Sequence, residues 1–368
     1  MISPTFHEAH ENAFIPILGD ICGTGPFTYD GYTPDVYVRF SRWEGYWRHV
    51  AYFKKLQFKI FDDASKAHTE MLNGQIDFNA MASYDDILTY EVSEDITVKH
   101  YTDDTGISSL VYQYLSINNQ KYNQTWRKAL SFVINYTYII EELRLGNAIR
   151  ANSPISPGFG IPYNESAFAP DFNITKAREI MVSMGFGDMG WTDQQWITMA
   201  EITPFRSIGY FTGPFNNQFR ISLMVAMIDW FKLIGVRLYE NDPCADDPFI
   251  QLICFPSNYS KLEIFGMGWA PDYLSAYIML EPLFKPKSYS NYALVNNTKL
   301  NTMMDLALET TDDEARDAIY KNIQGYMTEA CFHIPLYHSK VIWIHSADLR
   351  NVPYNAIGSL EFYEVYRG

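Results

Sequence analysis

Apolar and polar residues alternate along residues 36–41 and again along residues 56–61. A period of two, with β-branched and aromatic residues in the apolar positions, predicts two strands. After the aspartates at 62 and 63, apolar residues recur at helical spacing as far as Gly74. Because either aspartate can cap a helix and a glycine can end one, this stretch predicts a short helix, and a brief strand-like run follows it.

Longer apolar patterns divide the rest of the chain into helices and strands. Residues 98–117 are strand-like, whereas from Trp126 to near Gly146 the apolar residues recur at i, i+3, i+4 and i+7, as in an amphipathic helix. Helices that alternate with strands indicate an α/β fold of packed layers. The same two patterns predict further helices at about 174–184, 217–234, 298–309 and 312–330, and further strands at 236–239, 262–269 and 335–344.

Composition predicts a folded chain with a sizeable core. The 368 residues are 47% hydrophobic and 19% charged, with 16% aromatic residues, and this length favours two domains or lobes. The net charge of −15, with no clustered Lys/Arg stripe, argues against nucleic acid and anionic membrane surfaces as partners. No apolar run reaches the roughly 18 residues of a spanning helix, and the first thirty residues lack a signal pattern.

The cysteines and histidines do not predict a metal site. Four cysteines show no C-x-x-C spacing, so they are either small buried hydrophobes or, for Cys244 and Cys254 in an oxidising compartment, a disulfide closing a short loop. His333, His338 and His345 stand five and seven residues apart. Odd spacing places neighbours on opposite faces of a strand, so we interpret them as structural histidines and expect no metal.

No catalytic constellation rises above background. The adjacent pairs Asp103–Asp104 and Asp246–Asp247 are interpreted as solvated loop acids, since neighbouring side chains diverge in an extended chain. The sequence has no nucleophile elbow, zinc-protease motif or Walker loop. None of these residue patterns predicts an active site or a cofactor. Six N-x-S/T sequons are about twice the number expected by chance and indicate a glycosylated outside surface, although Asn135 also fits a plain helix position.

One short motif carries the chemistry of a ligand site. Trp269-Ala-Pro-Asp272-Tyr273 ends a strand-like run between two domain-sized halves of the chain. A carboxylate beside an aromatic ring at such a place suits an amine. The alternative is that Trp269 belongs to a core and that Asp272 caps a helix.

Ten short blocks stand in the order in which one family has them, and they spread over nearly the whole chain. No single block is specific, and their common order carries the resemblance. The chain resembles the extracellular solute-binding proteins of ABC importers, in the oligopeptide, dipeptide and nickel-binding class known as family 5. The blocks include Gly-Thr-Gly-Pro-Phe at 23–27, Arg-Trp-Glu-Gly-Tyr-Trp at 42–47, 62–77, 126–135, 152–155, 176–186, 231–236, Gly-Trp at 268–269 with Asp-Tyr at 272–273, 290–292 and 312–337.

This resemblance implies a periplasmic-binding-protein-like fold of type II, with two lobes, a hinge and a ligand cleft between them. Lobe I is expected at 1–114 plus 343–368, and lobe II at 115–342. Only 22 residues precede the Gly-Thr-Gly-Pro block, so the chain is expected to correspond to the C-terminal two thirds of such a protein. On this expectation lobe I is incomplete, and the signal and anchor are not present in this chain.

The resemblance also implies the function and the site. The expected function is the substrate-binding component of an ABC transporter, at the extracellular face of the cytoplasmic membrane or in the periplasm, monomeric when full length. It would capture a peptide in the cleft and deliver it to the permease subunits. Asp272 would pair with the amino group of the peptide, while Gly268, Trp269 and Ala270 supply main-chain partners. The alternatives are an oligosaccharide or another solute on the same scaffold, a glycoside hydrolase-like enzyme, and a truncated surface protein that binds nothing.

Overall fold

Backbone hydrogen bonding sorts the strands into four sheets in this computed structural model, which describes residues 23–80, 82–212, 217–241, 256–358 and 360–368. The described chain up to Asp104, with Ile342–Gly368, forms one compact unit (unit 1), and Thr105–Val341 forms a second (unit 2). The lobe bounds expected from the sequence remain a prediction. Cys244 and Cys254 lie outside the described residues, so the structure does not decide between a disulfide and two buried hydrophobes at these positions.

The strands account for most of the predicted alternating stretches. Numbered in chain order they are β1 (Phe27–Thr33), β2 (Tyr37–Arg42), β3 (Lys55–Lys59), β4 (Phe78–Asn79), β5 (Ile96–His100), β6 (Tyr112–Ile117), β7 (Ala148–Arg150), β8 (Arg206–Phe211), β9 (Val236–Glu240), β10 (Ile264–Trp269), β11 (His333–Ser339), β12 (Ile342–Ser346), β13 (Leu349–Arg350) and β14 (Tyr366–Arg367).

The α-helices follow the predicted amphipathic stretches. They are α1 (Ala64–Leu72), α2 (Ile87–Glu91), α3 (Tyr101–Thr105), α4 (Gln124–Ser131), α5 (Ile174–Ser183), α6 (Asp193–Ile202), α7 (Gln218–Lys232), α8 (Glu281–Phe284), α9 (Thr298–Glu309) and α10 (Asp313–Ala330). A π-helical segment spans Tyr138–Leu143, and single 3₁₀ turns occur at Tyr84–Asp86, Pro157–Phe159, Pro256–Lys261 and Ala276–Met279. No helix in the described ranges is long and apolar enough to cross a membrane.

Unit 2 is a three-layer α/β/α structure around a six-stranded sheet. Its strand order is β7-β11-β6-β10-β8-β9, in which β10, β8 and β9 are mutually parallel and the remaining pairs are antiparallel. Alternate residues of β6 enter two cores, since side chains alternate across a strand. Leu115 and Ile117 pack with α4 to α7, whereas Tyr112 and Tyr114 pack with α8 to α10. The predicted α/β class is confirmed.

Unit 1 holds a three-stranded sheet β1-β2-β3, a second sheet β4-β12-β5 and the pair β13-β14. Its core cluster lies on the second sheet, around Met71, Tyr90 and Ile344. No residue of β1, β2 or β3 is buried, and Phe58 is 39% exposed. A cavity of about 370 Å³ lies against this sheet, with Phe362 among its lining residues. The described residues therefore leave much of the apolar surface of β1 to β3 uncovered.

Side-chain caps explain why several helices begin where they do. The predicted caps are confirmed: Asp63 accepts a hydrogen bond from the backbone N–H of Ser65, and Asp312 accepts one from that of Ala315. Asparagines of the sequons also accept hydrogen bonds from nearby backbone N–H groups. The side-chain oxygens of four of them accept backbone N–H groups two or three residues later, so these amides have a local structural role; they are Asn123, Asn135, Asn164 and Asn173.

Three predicted elements are divided in the structure. The stretch 98–117 contains the end of β5, the helical turn α3 and then β6. The helix predicted from Trp126 ends at Ser131, because the carbonyl of Phe132 accepts the N–H of Asn173 from another segment at 2.7 Å. The predicted strand 335–344 comprises parts of β11 and β12, which belong to different sheets. The pattern also missed α6, which begins with a capping box.

A buried arginine donates hydrogen bonds to the carbonyls at the C-terminal end of α10. The guanidinium of Arg127 donates hydrogen bonds to the carbonyls of Cys331, Ala330 and Tyr122, at 2.7, 2.9 and 2.7 Å. The last carbonyls of a helix have no partner within the helix, so a donor from another element must satisfy them. Burial lowers the pKa of Arg127 to about 10, which leaves the side chain charged at neutral pH.

Replacing Arg127 by methionine should therefore lower the free energy of unfolding by about 3–5 kcal/mol, since buried carbonyls lose their donors. Urea denaturation of the variant and the parent measures the difference. The matched control is Arg316→Met, because Arg316 pairs with the exposed Asp313 and its loss should cost about 1 kcal/mol or less. Equal losses in the two variants would contradict the capping role of Arg127.

Two fully buried histidines make unit 2 sensitive to acid. His333 lies between the rings of Tyr114 and Phe284, with centroid distances of 4.3 and 4.4 Å. Burial lowers the pKa of His333 to about 3 and that of His338 to about 4. Below their unfolded pKa near 6.5, the unfolded chain binds protons that the folded chain does not, so folding stability falls as the pH falls.

We expect the free energy of unfolding to decrease between pH 6.5 and pH 4 by about 1.4 kcal/mol per pH unit for each of these histidines. Urea denaturation at half-unit pH steps measures the slope, and the double variant His333→Asn/His338→Asn should flatten it. The control is His49→Gln, since His49 is exposed and its pKa is raised by its hydrogen bonds to Val50 and Glu364. A double variant with the slope of the parent would refute this explanation.

Candidate functional site

The strand β10 is paired along its whole length on one side but only at its start on the other. All six of its residues pair with β6, from Ile264 opposite Ile117 to Trp269 opposite Tyr112. On the other side β8 pairs only with Ile264 and Phe265, because β8 ends at Phe211. Among the described residues, the segment 266–269 therefore has one edge without a strand partner. Its alternate N–H and C=O groups point toward that edge.

Two glycines in this segment keep the backbone accessible. A Cβ atom on Gly268 would lie 2.5 Å from Nε2 of Gln113, its partner across the pair with β6. A Cβ on Gly266 would lie 2.9 Å from the hydroxyl of Tyr210. Glycine at both positions thus lets polar side chains lie directly over the strand. The side chain of Gln113 makes no hydrogen bond to another described residue, so its amide is free to bind.

Trp269 has a structural role. Its indole N–H donates to the carbonyl of Ile278 at 2.9 Å, and the ring packs against the core between the sheet and α8 to α10. One half of the alternative interpretation, a tryptophan that belongs to a core, therefore fits this side chain. The ring of Tyr289 lies 5.9 Å away and is 59% exposed. The aromatic surface beside the motif is thus supplied by Tyr289 as much as by Trp269.

Asp272 is an exposed carboxylate with no partner. It forms no hydrogen bond or ion pair with any residue in the described ranges, and the next helical turn is capped by Ser275 instead. Burial raises the pKa of Tyr289, and the nearby carboxylates of Asp272 and Glu281 raise it further. The helix-capping alternative for Asp272 is therefore wrong. Pro271 lacks an N–H, so main-chain pairing along this edge ends at Ala270.

Sequence reasoning missed a cation beside the same strand. Arg220 lies in the first turn of α7, where its Cγ would be 3.4 Å from a Cβ on Gly266 and its Nη2 is 4.0 Å from Sδ of Met267. The spacing of the apolar residues in α7 could have revealed Arg220 from the sequence. The buried residues of α7 are Leu223, Met224, Met227 and Phe231, and a spacing of four places Arg220 on their face. A charged residue on the apolar face of a helix is a marker for function.

The residues considered for metal binding or for catalysis do not form a common site among the described residues. No group of three or more His, Cys, Asp or Glu side chains in the described ranges could hold a metal ion. No aspartate or glutamate of the described residues is buried, whereas a glycoside hydrolase needs an acid kept protonated by its surroundings. The strand edge is instead accompanied by a carboxylate and a guanidinium that form no ion pair with a described residue. Such an arrangement is typical of a binding protein.

Comparison with known proteins agrees with this class. The family model of bacterial extracellular solute-binding proteins, family 5 (middle), matches residues 3–291. The chain therefore belongs to this family, whose members bind solutes and are not enzymes. The recognition made from the ordered sequence blocks is confirmed, and with it the expected type II fold.

Curated relatives include the glutathione-binding protein GsiB of Shigella flexneri serotype 5b and of Escherichia coli K12. Each is 24% identical over 359 residues, which is 95% of this chain and 64% of the relative. This chain thus spans about two thirds of the length of the relatives it matches.

Solved structures show the same fold. A dipeptide-binding protein from Pseudoalteromonas sp. SM9913, in complex with Met-Leu, has a TM-score of 0.79 at 20% identity, covering 100% of this chain and 69% of that chain. The periplasmic binding protein DppA from Helicobacter pylori, in complex with the peptide STSA, has a TM-score of 0.79 at 17% identity. The latter similarity covers 100% of this chain and 68% of DppA.

Proposed function

We propose that this chain is the solute-binding component of an ABC importer and that it captures a short peptide along the free edge of β10. The observation that carries the proposal is the unpaired edge of residues 266–269, next to the unpaired carboxylate of Asp272. An extended peptide can add to such an edge as a strand, with main-chain hydrogen bonds giving affinity that is independent of side chains.

Each predicted site residue has a distinct part in this proposal. Gly268 and Trp269 supply main-chain groups at the edge, and Ala270 supplies the last N–H before Pro271 interrupts the series. Asp272 binds the α-ammonium group, because a cation that leaves water needs a compensating charge and a charge-assisted hydrogen bond supplies it. None of these contacts involves a side chain of the peptide, so the site can accept peptides of different sequence.

The relatives support a peptide-like ligand. Both of the solved structures described above hold peptides, and the curated relatives are named for glutathione, which is itself a modified tripeptide. Location outside the cytoplasm and delivery to permease subunits are part of the proposal, because family 5 is described as extracellular and one similar protein as ABC transporter-associated. No cofactor takes part.

Removal of the charge at Asp272 tests the proposal. Asp272→Asn should weaken the binding of a free peptide such as Met-Leu by about 2–5 kcal/mol, since the bound ammonium loses the counter-charge of Asp272. Isothermal titration calorimetry measures both affinities. N-acetylated Met-Leu should bind the parent poorly and lose little more in the variant.

A matched control and two contrary outcomes make the experiment decisive. Glu309→Gln removes an exposed acid of the same unit, far along the sequence from β10, and should leave peptide affinity unchanged. Equal affinities of the parent for free and acetylated peptide would show that Asp272 does not bind an amine. A thermal shift with oligosaccharides and none with peptides or glutathione would favour the alternative of another solute on the same scaffold.

A further inference from the structure

The six N-x-S/T sequons are not equally available in the folded chain. N-glycosylation needs two groups of a sequon: the asparagine Nδ2 that bonds to the sugar, and the hydroxyl two residues later that the transferase reads. An asparagine whose side chain is hydrogen-bonded in the fold must release those bonds before it can enter a transferase. The hydrogen bonds of each sequon therefore indicate which of them can react.

The sequon at Asn164 is closed by hydrogen bonds. Nδ2 of Asn164 donates to the carbonyl of Lys321 at 2.8 Å, and its Oδ1 accepts from the backbone N–H and the hydroxyl of Ser166, at 2.9 and 2.7 Å. The backbone N–H of Asn164 donates to the side chain of Gln324. Both groups that the reaction needs are already bonded, so this sequon should be inert while the protein is folded.

Four other sequons are engaged in different ways. Asn123 and Asn173 are the N-caps of α4 and α5, and the threonine of each of these sequons is the second residue of the helix. A transferase would have to break the cap and unwind the first turn. Asn135 is partly exposed and accepts the backbone N–H three residues later, and Asn258 is partly exposed and already interacts with its surroundings.

Asn296 has no such bond to release. It is exposed, and neither its amide nor its backbone makes a hydrogen bond to another residue in the described ranges. Thr298, the first residue of α9, is exposed as well, and its hydroxyl has no partner in the part of the chain that the structure describes. Both groups that a transferase needs are therefore free in the native protein.

The neighbours of Asn296 fix the place where its side chain emerges. On one side, Val295 is buried and exchanges two hydrogen bonds with the side chain of Asn291. On the other side, Asn297 caps α9, since its Oδ1 accepts the N–H of Leu300 at 2.9 Å. A substituent on Asn296 thus leaves the surface between two anchored residues, and it should disturb neither the core nor the cap.

The same segment is tied to the end of β6 that lies away from the free edge of β10. The carbonyl of Ala293 accepts hydrogen bonds from the backbone N–H and from Nδ2 of Asn119, which follows the Ile117 end of β6. Trp269 pairs with Tyr112 at the other end, about 17 Å away at the rise of an extended strand. A glycan on Asn296 should therefore leave the free edge accessible to a peptide.

We infer that Asn296 is an N-glycosylation site of the folded protein and that it takes an oligosaccharide from a lipid phosphate or pyrophosphate carrier. In this reaction Nδ2 of Asn296 loses a proton and bonds to the anomeric carbon of the sugar. The bond from that carbon to the carrier phosphate breaks, and the lipid phosphate leaves. Modification in the cell requires a location outside the cytoplasm, which is part of the proposed function, but it does not depend on which solute is bound.

Transfer onto the purified, folded chain tests the inference. The chain is incubated with a lipid-linked oligosaccharide and a single-subunit oligosaccharyltransferase that accepts any N-x-S/T sequon, and peptide mass spectrometry locates the glycan. We expect Asn296 to be modified, Asn123 and Asn173 to react roughly fivefold or more slowly because a helix cap must break first, and Asn164 not to react. Thr298→Val should abolish modification of Asn296, whereas Thr298→Ser should retain it.

Peptides of the same sequence are the matched control, since they carry the sequons without the fold. Peptides spanning residues 161–169 and 293–301 should both be glycosylated, which would show that folding closes Asn164 and leaves Asn296 open. A folded chain that is not modified at Asn296, or a 293–301 peptide that is not modified, would overturn the inference.

Calorimetry with Met-Leu separates this inference from the proposed function. The glycosylated chain should bind Met-Leu with the affinity of the unmodified chain, because the glycan lies at the far end of β6. A loss of affinity on glycosylation would contradict this placement of Asn296. An unmodified chain that binds no peptide would contradict the proposed function and leave the acceptor role of Asn296 standing.

Discussion

The difference in length between two neighbouring strands governs the architecture of unit 2. Every backbone N–H and C=O that leaves water needs a partner, and a sheet meets this requirement only where strands lie side by side. β6 accompanies β10 along all six residues, whereas β8 accompanies it for two. Core residues pack against both faces of β10, and its second half presents a row of backbone donors and acceptors at its unpaired edge.

Two unpaired charges of opposite sign accompany this edge. Arg220 is partly buried and Asp272 is exposed, and neither forms an ion pair with a described residue. The partly buried charge of Arg220 lowers the stability of the ligand-free protein relative to a neutral or paired side chain. The buried Arg127, by contrast, donates hydrogen bonds to three carbonyls. Such departures from an otherwise consistent structure are expected at functional sites.

The residues of the Trp269–Tyr273 motif do not share one role. The indole of Trp269 fixes the end of β10 to the Ile278 carbonyl, and Pro271 ends the run of backbone donors. Asp272 is then left outside the core with its carboxylate free. Hydrogen bonding thus separates Trp269, which positions the strand, from Asp272, whose carboxylate makes no hydrogen bond to a described residue, although both belong to one short motif.

The amino-acid sequence by itself determined the α/β class, most of the elements and the family. These follow from local rules: the apolar period sets helix or strand, and Asp63 and Asp312 cap the helices that they precede. It also pointed to Gly268, Trp269, Ala270 and Asp272, because they form one contiguous motif.

Only the tertiary structure decided where the helix from Trp126 breaks, since the Phe132 carbonyl accepts a hydrogen bond from Asn173, a residue distant in sequence. The tertiary structure alone also placed Arg220 beside Gly266. That contact joins residues 46 positions apart through the pairing of β8 with β10, and no local pattern records which strands become neighbours.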